Sequence, residues 1–271
     1  MSDVPLIHSS LNFDGDKEPT ITGVSVREKT TPQRSTFEGG SDIELILPNK
    51  ARGFLDPTSQ SYLYYDMVVG TRALTLNREG AYSPINRLTI QGDSSETFCD
   101  IQKYNNLMAS TMDLQSSQIY KGNSLALTSG TTSSNIGQTL AADATHTFCI
   151  PLLGTPLANA SAMFPLFGQD RITMTLSLGE VASYGRWADG GGGTAVIQNV
   201  RLISDVLILD QDSYDLVAES CDNKFKILAQ SVKVNSNSLP ANVLSHDTQL
   251  SSNVNYADKM LVTWRRNDVL N

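Results

Sequence analysis

The sequence predicts an all-β protein, a jelly-roll β-sandwich with one or two short helices, and three observations carry that prediction. Charged residues make up only 18% of the 271 positions, and Ser, Thr, Asn and Gly are spread throughout, where a helical protein would lean on Glu, Lys and Ala. Apolar and polar residues alternate at period two in several separate runs. Those runs amount to roughly seven or eight strands, without the strand–helix alternation that builds a parallel sheet, and the jelly roll is the commonest eight-stranded sandwich. An immunoglobulin-type sandwich would need a Cys-Trp-Cys spacing that is absent.

The first 41 residues mix Asp14, Asp16, Glu18, Glu28 and Glu38 with Lys17, Arg27, Lys29 and Arg34, and end near Gly39-Gly40, so they read as an arm before the body. The body is expected over 42–210. It opens where Ile43, Leu45 and Leu47 alternate with Asp42 and Glu44, until Pro48 stops the strand. FLDPTSQSYLYYDMVV, residues 54–69, sets a turn before the most aromatic run in the chain. Leu63, Tyr65, Met67 and Val69 form one apolar face of that strand. Tyr62, Tyr64 and Asp66 form a second, half-apolar face, which needs a further layer or another subunit against it.

A third strand spans 85–91, bounded by the Gly80 and Pro84 turn and by Gly92-Asp93. Thr97-Phe98-Cys99-Asp100 resembles a capping box with Asp in place of Glu, and Ile101, Tyr104, Leu107/Met108 and Thr111/Met112 follow at helical spacing, so a helix of about three turns is expected. Residues 121–143 are small, polar and aperiodic, a long surface loop. Strands resume over 145–152 and 171–178, the latter with Ile172, Met174, Leu176 and Leu178 on one face and Arg171, Thr173, Thr175 and Ser177 on the wet one. The run 195–210 is β-branched and apolar on both sides and suits a strand between layers. Residues 211–271 form a C-terminal extension: a short helix over 211–220, then strand-like segments at 225–234 and 259–265 that read as the opening of a second β domain.

Charge and motifs bound the function. A net charge of −8 has the wrong sign for neutralising phosphates over the whole surface. Cys99, Cys149 and Cys221 are odd in number and widely spaced, which fits free thiols rather than a disulfide framework or a zinc site. His8, His146 and His246 form no H-E-x-x-H or H-x-x-x-H pair, and the His146/Cys149 spacing on one strand fits a structural role. No G-x-S-x-G elbow occurs, and the Gly190–Gly193 run lacks the Lys and Ser/Thr of a P-loop, so it reads as a flexible connection. No catalytic, cofactor-binding or metal-binding residue is assigned, and no enzyme activity or cofactor is expected. The opening 13 residues have no basic start followed by an apolar run, and no stretch reaches the ~18 apolar residues of a membrane span. Asp205 interrupts an apolar strand and needs a cation such as Arg171 or Arg201.

Several segments in order, DIELILPNKARGFLDPTSQSYLYYDMVV, YSPINRLTIQG, DIQKYNNLM, FPLFGQDRITMTLSLGE and VIQNVRLISDVLILD, resemble the first jelly roll of the major capsid proteins of small tailless icosahedral, bacteriophage-like viruses of the double-jelly-roll lineage. The resemblance covers residues 42–210 as a strand-and-loop pattern, and the segment after 210 is too short for a complete second jelly roll. It implies a virion protein that self-assembles into homo-oligomeric capsomers and an icosahedral shell alongside other virion proteins. Tyr62, Tyr64, Trp187, Trp264 and Arg265 are the candidate subunit-interface residues. Since the arm is not basic, the genome is not expected to be held through it, and an internal membrane or another protein would lie between. An alternative is a receptor- or carbohydrate-binding β-sandwich, a spike or lectin-like module, in which an exposed Trp187 or Tyr184 stacks on a sugar. A third is a jelly-roll hydrolase drawing two carboxylates from Asp205, Glu180 and Asp189.

Overall fold

The computed structural model describes residues 22–56, 61–93, 96–115, 117, 121, 128–132, 137–159, 163–222, 225 and 232. In chain order the strands are β1 (Gly23–Thr30), β2 (Thr36–Phe37), β3 (Asp42–Ile46), β4 (Gly53–Leu55), β5 (Tyr62–Val69), β6 (Leu74–Leu76), β7 (Ile85–Gly92) and β8 (Thr97–Gln102). Helix α1 (Tyr104–Gln115) follows, then β9 (Thr139–Leu140) and β10 (Thr145–Pro151). After a helical turn at Pro156–Asn159 come β11 (Phe164–Pro165), β12 (Ile172–Leu178), β13 (Gly185–Trp187), β14 (Ala195–Leu209) and helix α2 (Gln211–Ser220).

Two sheets face each other. The larger runs β10-β5-β14 and continues to β1 and β2 on the far edge of β14, with β4 and β11 filling in beyond β5; the smaller runs β3-β12-β7-β8. Taking β1/β2 as one interrupted strand and counting the eight long strands along the chain, the orders are 6-3-8-1 and 2-7-4-5. First pairs with eighth, second with seventh, third with sixth and fourth with fifth, all antiparallel. The chain is therefore one long hairpin rolled into two layers, which is the jelly roll. A short third sheet, β13-β6-β9, adds Leu74, Leu76, Leu140 and Trp187 to the core.

The alternation that defines the strands also builds the core. Leu63, Tyr65, Met67 and Val69 of β5 are buried, as are Ile172, Met174, Leu176 and Leu178 of β12, and they meet Leu88 and Ile90 of β7 and Leu202 and Val206 of β14 between the sheets. Each such side chain contributes roughly 1.5–3 kcal/mol by leaving water. The opposite side of β12 is half-buried rather than fully wet at Thr173, Thr175 and Ser177, and the opposite side of β14 is likewise half-buried rather than sandwiched.

Two segments depart from the sequence reading. The capping-box stretch is strand β8, which pairs with β7 and buries Cys99 and Ile101 on alternate residues. Pairing partners outweigh a local cap signal. The helix starts three residues after Ile101, past Lys103 at φ 55°, and presents Tyr104, Met108 and Met112 to the core at spacing four. Residues 23–37, read as part of the arm, are the first strand of the roll. Val26 stands in register with the buried Val206, but Val24, opposite Ile208, is 64% exposed, β1 carries Arg27, Glu28 and Lys29, and its burial is too slight to impose a clean apolar period. The N–H of Thr22 donates to Ser213 Oγ at 2.8 Å, fastening the start of the described chain to α2. Asp210 caps that helix by accepting from the Ser213 N–H at 2.7 Å. Most of the strand candidate at 225–234 and all of that at 259–265 lie outside the described residues. Of the segment 121–143, read as a surface loop, the described part is not all surface: Lys121, Ser129, Thr131 and Leu140 are buried, and Thr139–Leu140 is β9, paired with β6.

Candidate interaction face

The outer face of the large sheet is laid out in rows by strand register: Pro151, Tyr62 and Ile203; Cys149, Tyr64 and Arg201; Thr147, Asp66 and Gln198; Thr145, Val68 and Val196. Period two puts all of these opposite the core residues of the same strands. Tyr62, Tyr64, Ile203, Cys149 and Val196 are half-buried, so a mostly apolar strip lies on the outside of the fold.

Polar groups pin this strip. The Arg201 guanidinium stands 5.2 Å from the Tyr64 ring centroid, a cation–π contact. A hydrogen bond with Cys149, then burial, hold the Tyr64 hydroxyl above the ordinary phenol pKa. Asp66 accepts from Thr147 Oγ1 at 2.6 Å and from Asn199 Nδ2 at 2.7 Å. Asn199 reaches it because β14 carries a bulge between Gln198 and Arg201, with Asn199 at φ 52°. The extra residue lets both halves of β14 keep their apolar side inward while Arg201 stays on the outer side beside Tyr64.

At the far end of the strip the chain covers its own sheet. Phe54, on the side of Leu207, packs edge-on against Phe167 at 5.1 Å and Phe225 at 5.6 Å, and Phe167 meets Tyr214 of α2 at 5.3 Å. The outer face of the small sheet carries more exposed charge: Asp42, Glu44, Arg87, Gln91, Asp100 and Gln102 are exposed beside a single exposed aliphatic, Ile46, and Arg87 Nε meets Asp100 Oδ1 at 2.8 Å.

Of the residues singled out from sequence, Tyr62 and Tyr64 fall together on the strip. Trp187 lies in β13 of the third sheet, only 7% exposed, and a Cβ on Gly193 would collide with its indole, so the last glycine of the run is needed for close packing, whereas Gly190 and Gly192 face open space. Tyr184 is buried too, so neither ring is exposed to stack on a sugar as the binding-module reading requires. Trp264 and Arg265 lie outside the described residues. Asp205 is matched by Arg27, Nε to Oδ1 at 2.8 Å, and not by the cations expected; Arg27 was hidden in the segment read as an arm. Sequence reasoning missed Cys149, Arg201 and Asn199 as part of this face; an Asn inside an apolar strand run is the one signal that marks a bulge.

The fold therefore defines the chain as a jelly-roll β-sandwich. Solved structures similar to it are PBCV-1 VP54 fitted into a reconstruction of the virophage Sputnik (TM-score 0.50, 11% identity, 76% of this chain and 47% of that one), the PBCV-1 virus capsid (0.49, 11%, 76% and 47%) and the Faustovirus major capsid protein (0.47, 10%, 80% and 58%). The chain spans about half the length of the first two. No protein-family model and no curated protein sequence matches it.

Proposed function

We propose that the protein is a structural virion protein that self-assembles into an icosahedral capsid shell and performs no catalysis. The observation that carries this reading is the asymmetry of the two outer faces, one richer in exposed charge, the other carrying half-buried apolar residues around Tyr62 and Tyr64. Such a strip suits burial against another subunit, because tyrosine supplies apolar area with a polar tip and few torsions to freeze. The jelly roll shared with PBCV-1 VP54 at TM-score 0.50 supports the same reading.

On this proposal the partners are further copies of the chain and other virion proteins, with a membrane or another protein between shell and genome. The segment after α2 opens a second β domain or ties one capsomer to the next. The test is light scattering with electron microscopy of the purified protein across salt and pH. Trimers, rings or closed shells are expected; a stable monomer that binds glycans would overturn the proposal in favour of a receptor-binding module.

A further inference from the structure

Beside the β14 bulge lies a cleft of about 280 Å³, lined by Arg34 from the connection between β1 and β2 and by Lys29, Asp66, Asn199 and Arg201 from the sheet. Lys29, Arg34 and Arg201 bring three cations to one opening on a chain whose net charge is −8. Among the described residues none of the three has a carboxylate partner. The neighbouring cations are matched, Arg27 with Asp205 and Lys50 with Glu28, whereas Arg34 and Arg201 stand over the rings of Phe37 and Tyr64. The single carboxylate on the wall, Asp66, has both oxygens engaged by Thr147 and Asn199. Three cations against this one carboxylate leave the opening net positive, which favours an anion there.

The lining also says which kind. A carboxylate offers two oxygens and suits one guanidinium, whereas three cations with the Thr31 and Ser35 hydroxyls and the Gln33 amide nearby match an anion with three or four oxygens. The left-handed Asn199 holds the floor of the cleft in a backbone conformation that a bulge must maintain, the kind of local exception that marks a working site. We propose that this cleft binds a phosphate group through Lys29, Arg34 and Arg201. The proposal does not depend on capsid assembly.

Inorganic phosphate, titrated into the full chain at constant ionic strength, should give saturable calorimetric binding and raise the unfolding temperature, with chloride inert. The Lys29→Gln/Arg34→Gln variant alters two exposed side chains, so it should fold, and it should bind about tenfold more weakly or worse, on the scale of a lost charge-assisted hydrogen bond. Arg72→Gln/Arg186→Gln removes the same charge outside the cleft and should leave binding unchanged. Arg201→Gln gives an independent check from the sheet side. Equal responses to phosphate and chloride, or equal losses in the two double variants, would overturn the proposal. Vesicles of phosphatidic acid in neutral lipid then separate sources: co-sedimentation lost in the cleft variant places the phosphate on a lipid headgroup, and binding of free phosphate alone places it on a small molecule. No response to either would hand the cleft to a neighbouring side chain and end the phosphate assignment.

Discussion

The two sheets share a core but differ on their outer faces, and the difference separates what folds the chain from what the fold presents. The β3-β12-β7-β8 sheet carries carboxylates and arginines outward and can stand in water alone. The β10-β5-β14-β1 sheet is wider, covers one end of itself with α2 and Phe225, and leaves tyrosines and aliphatic side chains at the other. Inward residues are dictated by packing, which any sandwich needs; outward ones are free to vary, so apolar residues there point to a use.

The comparison can be broken from either side. The largest expected effect is in the shared core: Leu202→Ala, at a fully buried position of β14, should destabilise the chain by about 2–5 kcal/mol in urea unfolding. A loss below about 0.5 kcal/mol would deny that β14 is the central strand. On the outer face Tyr64→Ala should shift the midpoint of self-association about thirtyfold in protein concentration, the roughly 2 kcal/mol that truncation of an interface anchor costs. The matching change on the small sheet, Thr175→Ala, should leave association unchanged; equal effects would erase the distinction.

Each sheet also carries a cysteine that reports on it. Cys99 points into the core from β8, and burial, followed by Asp100, pushes its thiol up to about 11, so it should resist thiol reagents until the chain unfolds. Cys149 sits beside Tyr64 on the strip and should be labelled in the free subunit and protected on assembly.

The smallest effect belongs to the wet face. Arg87 holds the Asp100 carboxyl below the usual carboxylate range. A depressed folded pKa adds stability above the unfolded value, and that stability is lost as pH falls through the folded one, so the loss should occur below about pH 4. Both side chains are a third or more exposed, so the amount should be under about 1 kcal/mol, shrink in salt and vanish in Asp100→Asn.

Much of the sandwich was legible because period-two burial is written directly into β5, β12 and β14: Leu63, Met174 and Leu202 lie where alternation puts them. What stayed hidden depends on partners distant in sequence. Thr97–Gln102 looks helical in isolation and becomes a strand because β7 offers its edge. Gly23–Thr30 shows almost no apolar pattern, being an exposed edge strand held by β14 and guarded by charge. Tyr62 and Tyr64 could be seen as a half-apolar face from β5 alone. Arg201, Cys149 and Asn199 could not, since only strand register brings them beside those tyrosines.

The pairing of first strand with eighth, second with seventh and so inward has a kinetic consequence. The β7-β8 hairpin closes over a few residues, whereas β1 must find β14 after nearly the whole domain has passed between them. Loop-closure entropy grows with that separation, so the roll should zip from the fourth and fifth strands outward and open in reverse. The amides of β1 should then be the first to exchange with deuterium, well before those of β7, and the free edge of β14 that this exposes is a place where the β1 of a second copy can pair, linking chains by strand exchange.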